Sequence, residues 1–68
     1  MIHESDWMEF SHSTAYTIEW TPKKNGRVRV KWNDKGVYAE EQCSDPQYAV
    51  IIGEKMLEVI AGGDKGGD

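Results

Sequence analysis

Residues 16–21, Tyr-Thr-Ile-Glu-Trp-Thr, and residues 27–32, Arg-Val-Arg-Val-Lys-Trp, decide the fold. Large apolar side chains recur at every second position: Tyr16, Ile18 and Trp20, then Val28, Val30 and Trp32. A period of two puts one set of side chains on one face of an extended chain, the pattern of a half-buried strand. Between the two runs, Thr21-Pro-Lys-Lys-Asn-Gly supplies turn chemistry, with Gly26 free to adopt a positive φ. Setting Trp20 opposite Val28 also sets Ile18 opposite Val30 and Tyr16 opposite Trp32, so one register keeps every apolar residue on the same side.

Working outward, Asn33-Asp-Lys-Gly reads as a second turn, and Val37 to Gln42 as a third strand. Placing Trp32 opposite Val37 brings Val30 to Ala39. On the reverse face Arg29 then stands between Glu19 and Glu40, a cross-strand charge triplet in which each pair contributes roughly 0.2–1 kcal/mol. Glu41 falls on the apolar side near the sheet end, which implies fraying or a local bulge there. A helix follows, capped by Ser44 or Asp45, with Pro46 in its first turn and Gly62 at its end. The expected fold is α+β: a three-stranded antiparallel meander in order 1-2-3 with one C-terminal helix across one face. Residues 1–14 form an acidic arm, residues 15–62 a single β-β-β-α domain, and residues 63–68 a disordered tail.

The expected core comprises Tyr16, Ile18, Trp20, Val28, Val30, Trp32, Val37, Ala39, Ile52, Met56 and Val59. Apolar residues cover an arc of the helix about twice the ~100° that docking on one sheet requires. Something besides the sheet must cover the remainder. One candidate is the N-terminal arm through Trp7, Met8 and Phe10; the other is a second copy or a protein partner. Ala49 and Gly53, small residues four apart, would let another backbone approach closely.

A chain of 68 residues has room for one thin core, and the single Cys43 excludes an intramolecular disulfide staple. The lone thiol, together with a start that carries neither a basic region nor an apolar run, points to a soluble protein of the reducing cytosol. No stretch approaches the ~20 apolar residues that span a bilayer. The net charge of -4 hides a division. Glu4, Asp6 and Glu9 make the first fourteen residues purely acidic. Lys23, Lys24, Arg27, Arg29, Lys31 and Lys35 make residues 15–36 basic, and residues 37–68 are acidic again. Such a dipolar field steers encounters with charged partners.

The residues of catalysis do not assemble. His3, Glu4, Asp6 and His12 are metal-capable but lack a recurring ligand spacing. Cys43 precedes a helix N-terminus, which lowers a thiol pKa, yet Glu40, Glu41 and Asp45 oppose that shift. Glu40 and Glu41 are adjacent on a strand and point to opposite faces. The glycines match neither the phosphate-loop nor the dinucleotide fingerprint. The chain reads as a non-enzyme without cofactor or metal.

Three strands followed by a helix is an element order similar to that of plant AP2-type DNA-binding domains and of the arm-binding domains of tyrosine recombinases. The likeness is one of order alone, and no motif residue carries over. Val28-Arg-Val-Lys-Trp-Asn-Asp-Lys-Gly-Val-Tyr38 resembles strand-turn-strand segments of small SH3-like or Tudor-like barrels, which implies a partial barrel as the alternative fold.

The functional expectation is a small interaction module that binds another protein, of inhibitor or adaptor type and of a kind found in phages. Its candidate surfaces are the charged sheet face with its loop (Lys23, Lys24, Arg27, Arg29, Lys31, Tyr38) and the helix side around Val50, Gly53 and Leu57, which is also the candidate homodimer interface. The rival expectation is a DNA-binding accessory protein reading base edges with the sheet face. Against it stand Glu19 and Glu40 within the patch and a pI near 5.0.

Overall fold

The two alternating runs pair as their pattern dictates. Tyr16 lies opposite Trp32, Ile18 opposite Val30, Glu19 opposite Arg29 and Trp20 opposite Val28. The computed structural model describes residues 2–66, with side chains described as far as residue 59. It contains β1 (Met8–His12), β2 (Tyr16–Thr21), β3 (Arg27–Trp32), β4 (Gly36–Gln42) and α1 (Ala49–Gly66), with single 3-10 turns at Glu4–Asp6, Lys23–Asn25 and Pro46–Tyr48. The strands form one antiparallel sheet in the order β1-β2-β3-β4, and α1 packs across one face, chiefly on β2 and β3. The α+β class and the meander stand; the sheet has four strands rather than three.

The extra strand comes from the expected arm. Met8 pairs with Trp20 and Glu9 with Glu19, but Ser11 then pairs with Ile18, so Phe10 is bulged. A bulge breaks the two-residue period, which is why residues 8–12 do not read as a strand. The arm divides between the faces. The Phe10 ring lies 5.9 Å from that of Trp20 on the helix side, whereas Trp7 lies over Arg29 on the reverse side. Trp7 therefore does not cover the helix.

A second bulge alters the β3–β4 register. Arg29 faces Glu40 and Val30 faces Ala39 as expected, but Lys31 faces Val37 and Trp32 faces Gly36, leaving Tyr38 as the extra residue. The shift carries Val37 to the charged face, where it is half exposed instead of in the core.

Ile18, Trp20, Val28, Val30, Cys43, Ala49 and Met56 form the buried core, with Tyr16, Ala39, Val50, Ile52 and Leu57 packed around it. α1 docks by its smallest side chains. A Cβ placed on Gly53 would lie 2.6 Å from Ile18 Cγ2, so the helix backbone rests directly on the sheet. That contact centres the buried stripe on Ala49, Gly53 and Met56 and turns Val59 outward to 71% exposure, against the expectation that it is core. The Asp45 carboxylate accepts from Gln47 N at 3.1 Å and caps the 3-10 turn that leads into α1. The helix continues through Gly63–Gly66, past the expected stop at Gly62 and into the expected tail; residues 67–68 lie outside the described residues.

Gly26 closes the β2–β3 loop at φ +93°, and its carbonyl accepts from Cys43 N at 3.0 Å. A Cβ there would strike the Cys43 carbonyl oxygen and lie 2.8 Å from Ser44 Cα. These are backbone atoms that cannot turn aside. Gly26→Ala is expected to lower stability by about 2–4 kcal/mol, adding a left-handed penalty to overpacking. The urea midpoint checks this.

Candidate functional site

The sheet face opposite α1 is organised around one guanidinium. Arg29 sits mid-strand in β3 and is only 4% exposed. Its Nε donates to Glu19 Oε1 at 2.6 Å, and its two terminal nitrogens donate to the Glu4 carboxylate at 2.8 and 3.1 Å. Its carbon lies 4.2 Å from the Trp7 ring centroid. Glu4 and Trp7 reach this point because residues 4–6 turn as a 3-10 helix, with His3 N donating to the Asp6 carboxylate at 2.9 Å. The expected Glu19–Arg29–Glu40 triplet is thus replaced. Glu40 accepts from Arg27 Nε at 2.9 Å, and Glu4 is the second acid on Arg29. Lys31 Nζ approaches Glu19 at 3.7 Å.

The Glu4 carboxyl is held below its ordinary range, first by the hydrogen bonds from Arg29 and then by that group's charge. Burial pulls the Arg29 guanidinium down, but the bonds and charges of Glu4 and Glu19 outweigh it and leave its pKa raised. Of the expected basic surface, Arg27, Arg29 and Lys31 are therefore compensated within the chain. Lys23 and Lys24 remain exposed on the loop, where Lys24 and Asn25 both adopt positive φ. Tyr38 is 45% exposed, its ring 5.5 Å from that of Trp32.

The helix residues separate differently. Gly53 is buried against Ile18, so it belongs to the helix–sheet seam rather than to an open surface. Val50 and Leu57 are half-buried and pack against the core. The apolar side chains that do face outward are Tyr48, Ile51 and Val59 at 50, 53 and 71% exposure. They border two hollows along the side of α1 that faces β4. One, of about 190 Å³, is lined by Ala39, Glu41, Met56 and Val59. The other, of about 430 Å³, is lined from Gln42 and Cys43 on one side to Tyr48, Ile51, Ile52 and Lys55 on the other.

A polar knot closes the far end of the sheet. Thr17 Oγ1 donates to Asn33 Oδ1 at 2.7 Å and lies 3.1 Å from His12 Nδ1, which approaches Glu9 at 3.7 Å. With its only proton given to Asn33, the hydroxyl accepts from the imidazole and finds no base there. Asn33 Nδ2 also donates to the Ser13 and Thr14 carbonyls, joining the β1–β2 and β3–β4 turns. This geometry ties loops together and leaves Thr17, 4% exposed, without the access a nucleophile needs. The depression beside it, about 360 Å³ and lined by Thr14, Ala15, Trp32, Asn33, Asp34 and Lys35, is open to solvent. Cys43 is buried with its thiol donating to the Asp45 carbonyl at 3.2 Å, while its own carbonyl accepts from Trp20 Nε1 at 2.7 Å. Among the described residues, no three His, Cys, Asp or Glu side chains converge as a metal site would require, and no helix is long and apolar enough to cross a membrane.

No family model matches the chain, and neither a curated protein nor a solved structure matches it.

Sequence reasoning missed Glu4 and Trp7 as ligands of Arg29. The available signal was the abundance of acids before a strand whose central arginine must find counter-charge. Arg29→Ala would leave Glu19, itself 13% exposed at the side chain, with only Lys31 at 3.7 Å as counter-charge; the expected loss is about 3 kcal/mol by chemical denaturation. Glu4→Gln tests the outer acid through pH. A carboxyl depressed in the folded state contributes stability above its unfolded value and loses it as pH falls through the lower folded value. The native chain is therefore expected to lose stability across that acidic window. Glu4→Gln should begin less stable at neutral pH and show a shallower acid limb in a fluorescence titration.

Proposed function

We propose that this chain is a non-catalytic module that binds another protein, of the inhibitor or adaptor type. The observation that carries the reading is the row of Tyr48, Ile51 and Val59, each half or more exposed beside a groove on α1. Exposed apolar side chains that gather along one groove mark an interaction surface, whereas scattered ones are ordinary. Small size, an acidic balance and the absence of a catalytic constellation in the sequence support the same class, which includes proteins of phage origin.

The charged sheet face supports this reading less than the helix flank does. Arg29 is nearly inaccessible and engaged by two acids, and Arg27 and Lys31 face Glu40 and Glu19. Only Lys23 and Lys24 of the expected basic patch stay free of an ion pair among the described residues. The same pairing weighs against a DNA-binding accessory role, because counterion release needs cations available to phosphate.

Three measurements test the reading. A tagged chain used in a pull-down with nuclease present should retain a near-stoichiometric protein, and the double change Ile51→Asp with Val59→Asp should weaken that complex at least tenfold. Lys23→Ala with Lys24→Ala should leave it within about twofold. In a duplex-DNA titration at falling salt, steeply salt-dependent binding would overturn the proposal in favour of nucleic acid. Light scattering distinguishes a homodimer: a mass twice that of the monomer, returned to the monomer by the same double change, would make the partner a second copy.

A further inference from the structure

Glu41 is the residue the fold does not explain. It lies opposite Val28, so it shares the helix side of the sheet with Ala39. It borders the smaller hollow with Met56 and Val59, and no cation pairs with it among the described residues. An acid on the rim of an apolar groove has a use if a cation arrives from outside.

The rim itself is open. β4 is the last strand of the sheet, and beyond its bulge Ala39–Gln42 runs in regular register with Val30–Arg27. Alternate N–H and C=O groups of that run therefore point away from the sheet, which is the template for an added strand. The two hollows follow the same run in order, the first beside Ala39 and Glu41, the second beginning at Gln42 and Cys43. Alternate side chains of an extended peptide repeat at about 6.8 Å, so those on the helix side would pass the first hollow, Glu41 and the second hollow in turn. This combination of main-chain pairing and pockets for every second side chain is how sheet edges recognise peptides.

Charge selects the occupant. Gly36–Gln42 holds Glu40 and Glu41 and neither Lys nor Arg. Glu40 is paired with Arg27, so antiparallel pairing of two copies along β4 would bring together two Glu41 carboxylates without a cation, between chains that each carry a net -4. A second copy is disfavoured on that account, and a basic strand is favoured.

We propose that the β4 edge and the groove it forms with α1 bind an extended segment of a protein partner as a fifth strand, whose helix-side positions carry a Lys or Arg opposite Glu41 flanked two residues away on each side by apolar side chains. This rests on the protein-binding reading above and specifies its surface and the chemistry of its partner. The test uses the full chain, isotope-labelled, titrated with a capped Val-Thr-Lys-Thr-Val-Thr peptide, in which Val, Lys and Val share one face. Its controls are the same peptide with Glu in place of Lys and a version N-methylated along one edge. A library of random peptides is selected on the same chain in parallel.

The expected result is amide shifts concentrated at residues 39–42, with side-chain shifts at Met56 and Val59. Glu41→Lys should weaken binding at least fivefold, and Glu41→Gln should weaken it by a smaller factor. Both variants should unfold at the urea midpoint of the native chain to within experimental error, which separates binding from folding. N-methylation should abolish binding, and the selected peptides should carry a basic residue with an apolar residue two positions away on each side. Equal binding of the N-methylated peptide, or shifts confined to residues 23–31, would overturn the β4 surface while leaving a protein-binding module standing. No selected peptide and no binding of the hexapeptide would overturn both.

Discussion

The contact of Gly53 with Ile18 sets the geometry of everything on one side of this protein. Ile18 is fully buried at the centre of the sheet, and no side chain on the helix separates it from the α1 backbone. Once that seam is fixed, the rotation of the helix is fixed as well. Ala49 and Met56 go inward with Gly53, Val50, Ile52 and Leu57 rest on the margins, and Tyr48, Ile51 and Val59 are left outside. The groove that supports the functional reading is therefore a consequence of how closely the helix sits. A larger residue at position 53 would lift the helix and dissolve the two hollows together.

The opposite side of the sheet is held by charge. Arg29 is taken out of water, yet each of its three guanidinium nitrogens has a carboxylate partner: one in Glu19 across the ladder, two in Glu4 folding back from the N-terminal turn, with Trp7 lying over its face. A buried guanidinium with only one carboxylate would be poorly compensated, and the acidic start of the chain supplies the second. The strong division of charge along the sequence thus has an intramolecular use. Glu4 from the acidic first segment and Glu40 from the acidic last one join Glu19 in compensating Arg27, Arg29 and Lys31, which is why the sheet face of the hairpin does not present the continuous positive surface that its composition suggests.

Much of this architecture was legible in the residues. The alternation in 16–21 and 27–32 gave the β2–β3 register residue for residue, and the pairing of Arg29 with Glu19 followed from it; Arg29 also lies opposite Glu40 as expected, although the Trp32–Val37 pairing used to place it does not form. What escaped was caused by bulges and by contacts at long range. Phe10 and Tyr38 each insert one residue into a strand, hiding β1 altogether and sending Val37 to the charged face. Val59 was misplaced because periodicity reports the width of an apolar arc but not which part of it meets the sheet. Gly53 was read as a surface for another backbone; what it meets is the Ile18 side chain of the sheet. Of the surface residues inferred from sequence, Lys23, Lys24 and Tyr38 are exposed, whereas Arg29 and Gly53 are spent on internal contacts.

The sheet thereby separates two kinds of cohesion that answer differently to the same solution. Simple salts screen the exposed Glu4 arm of the ionic layer, since its carboxylate faces water. Strongly hydrated anions such as sulfate tighten the apolar layer beneath α1. Cooling weakens that apolar layer, because its driving force near room temperature is largely entropic. One thin sheet is thus the boundary between a side governed by ionic strength and a side governed by the structure of water.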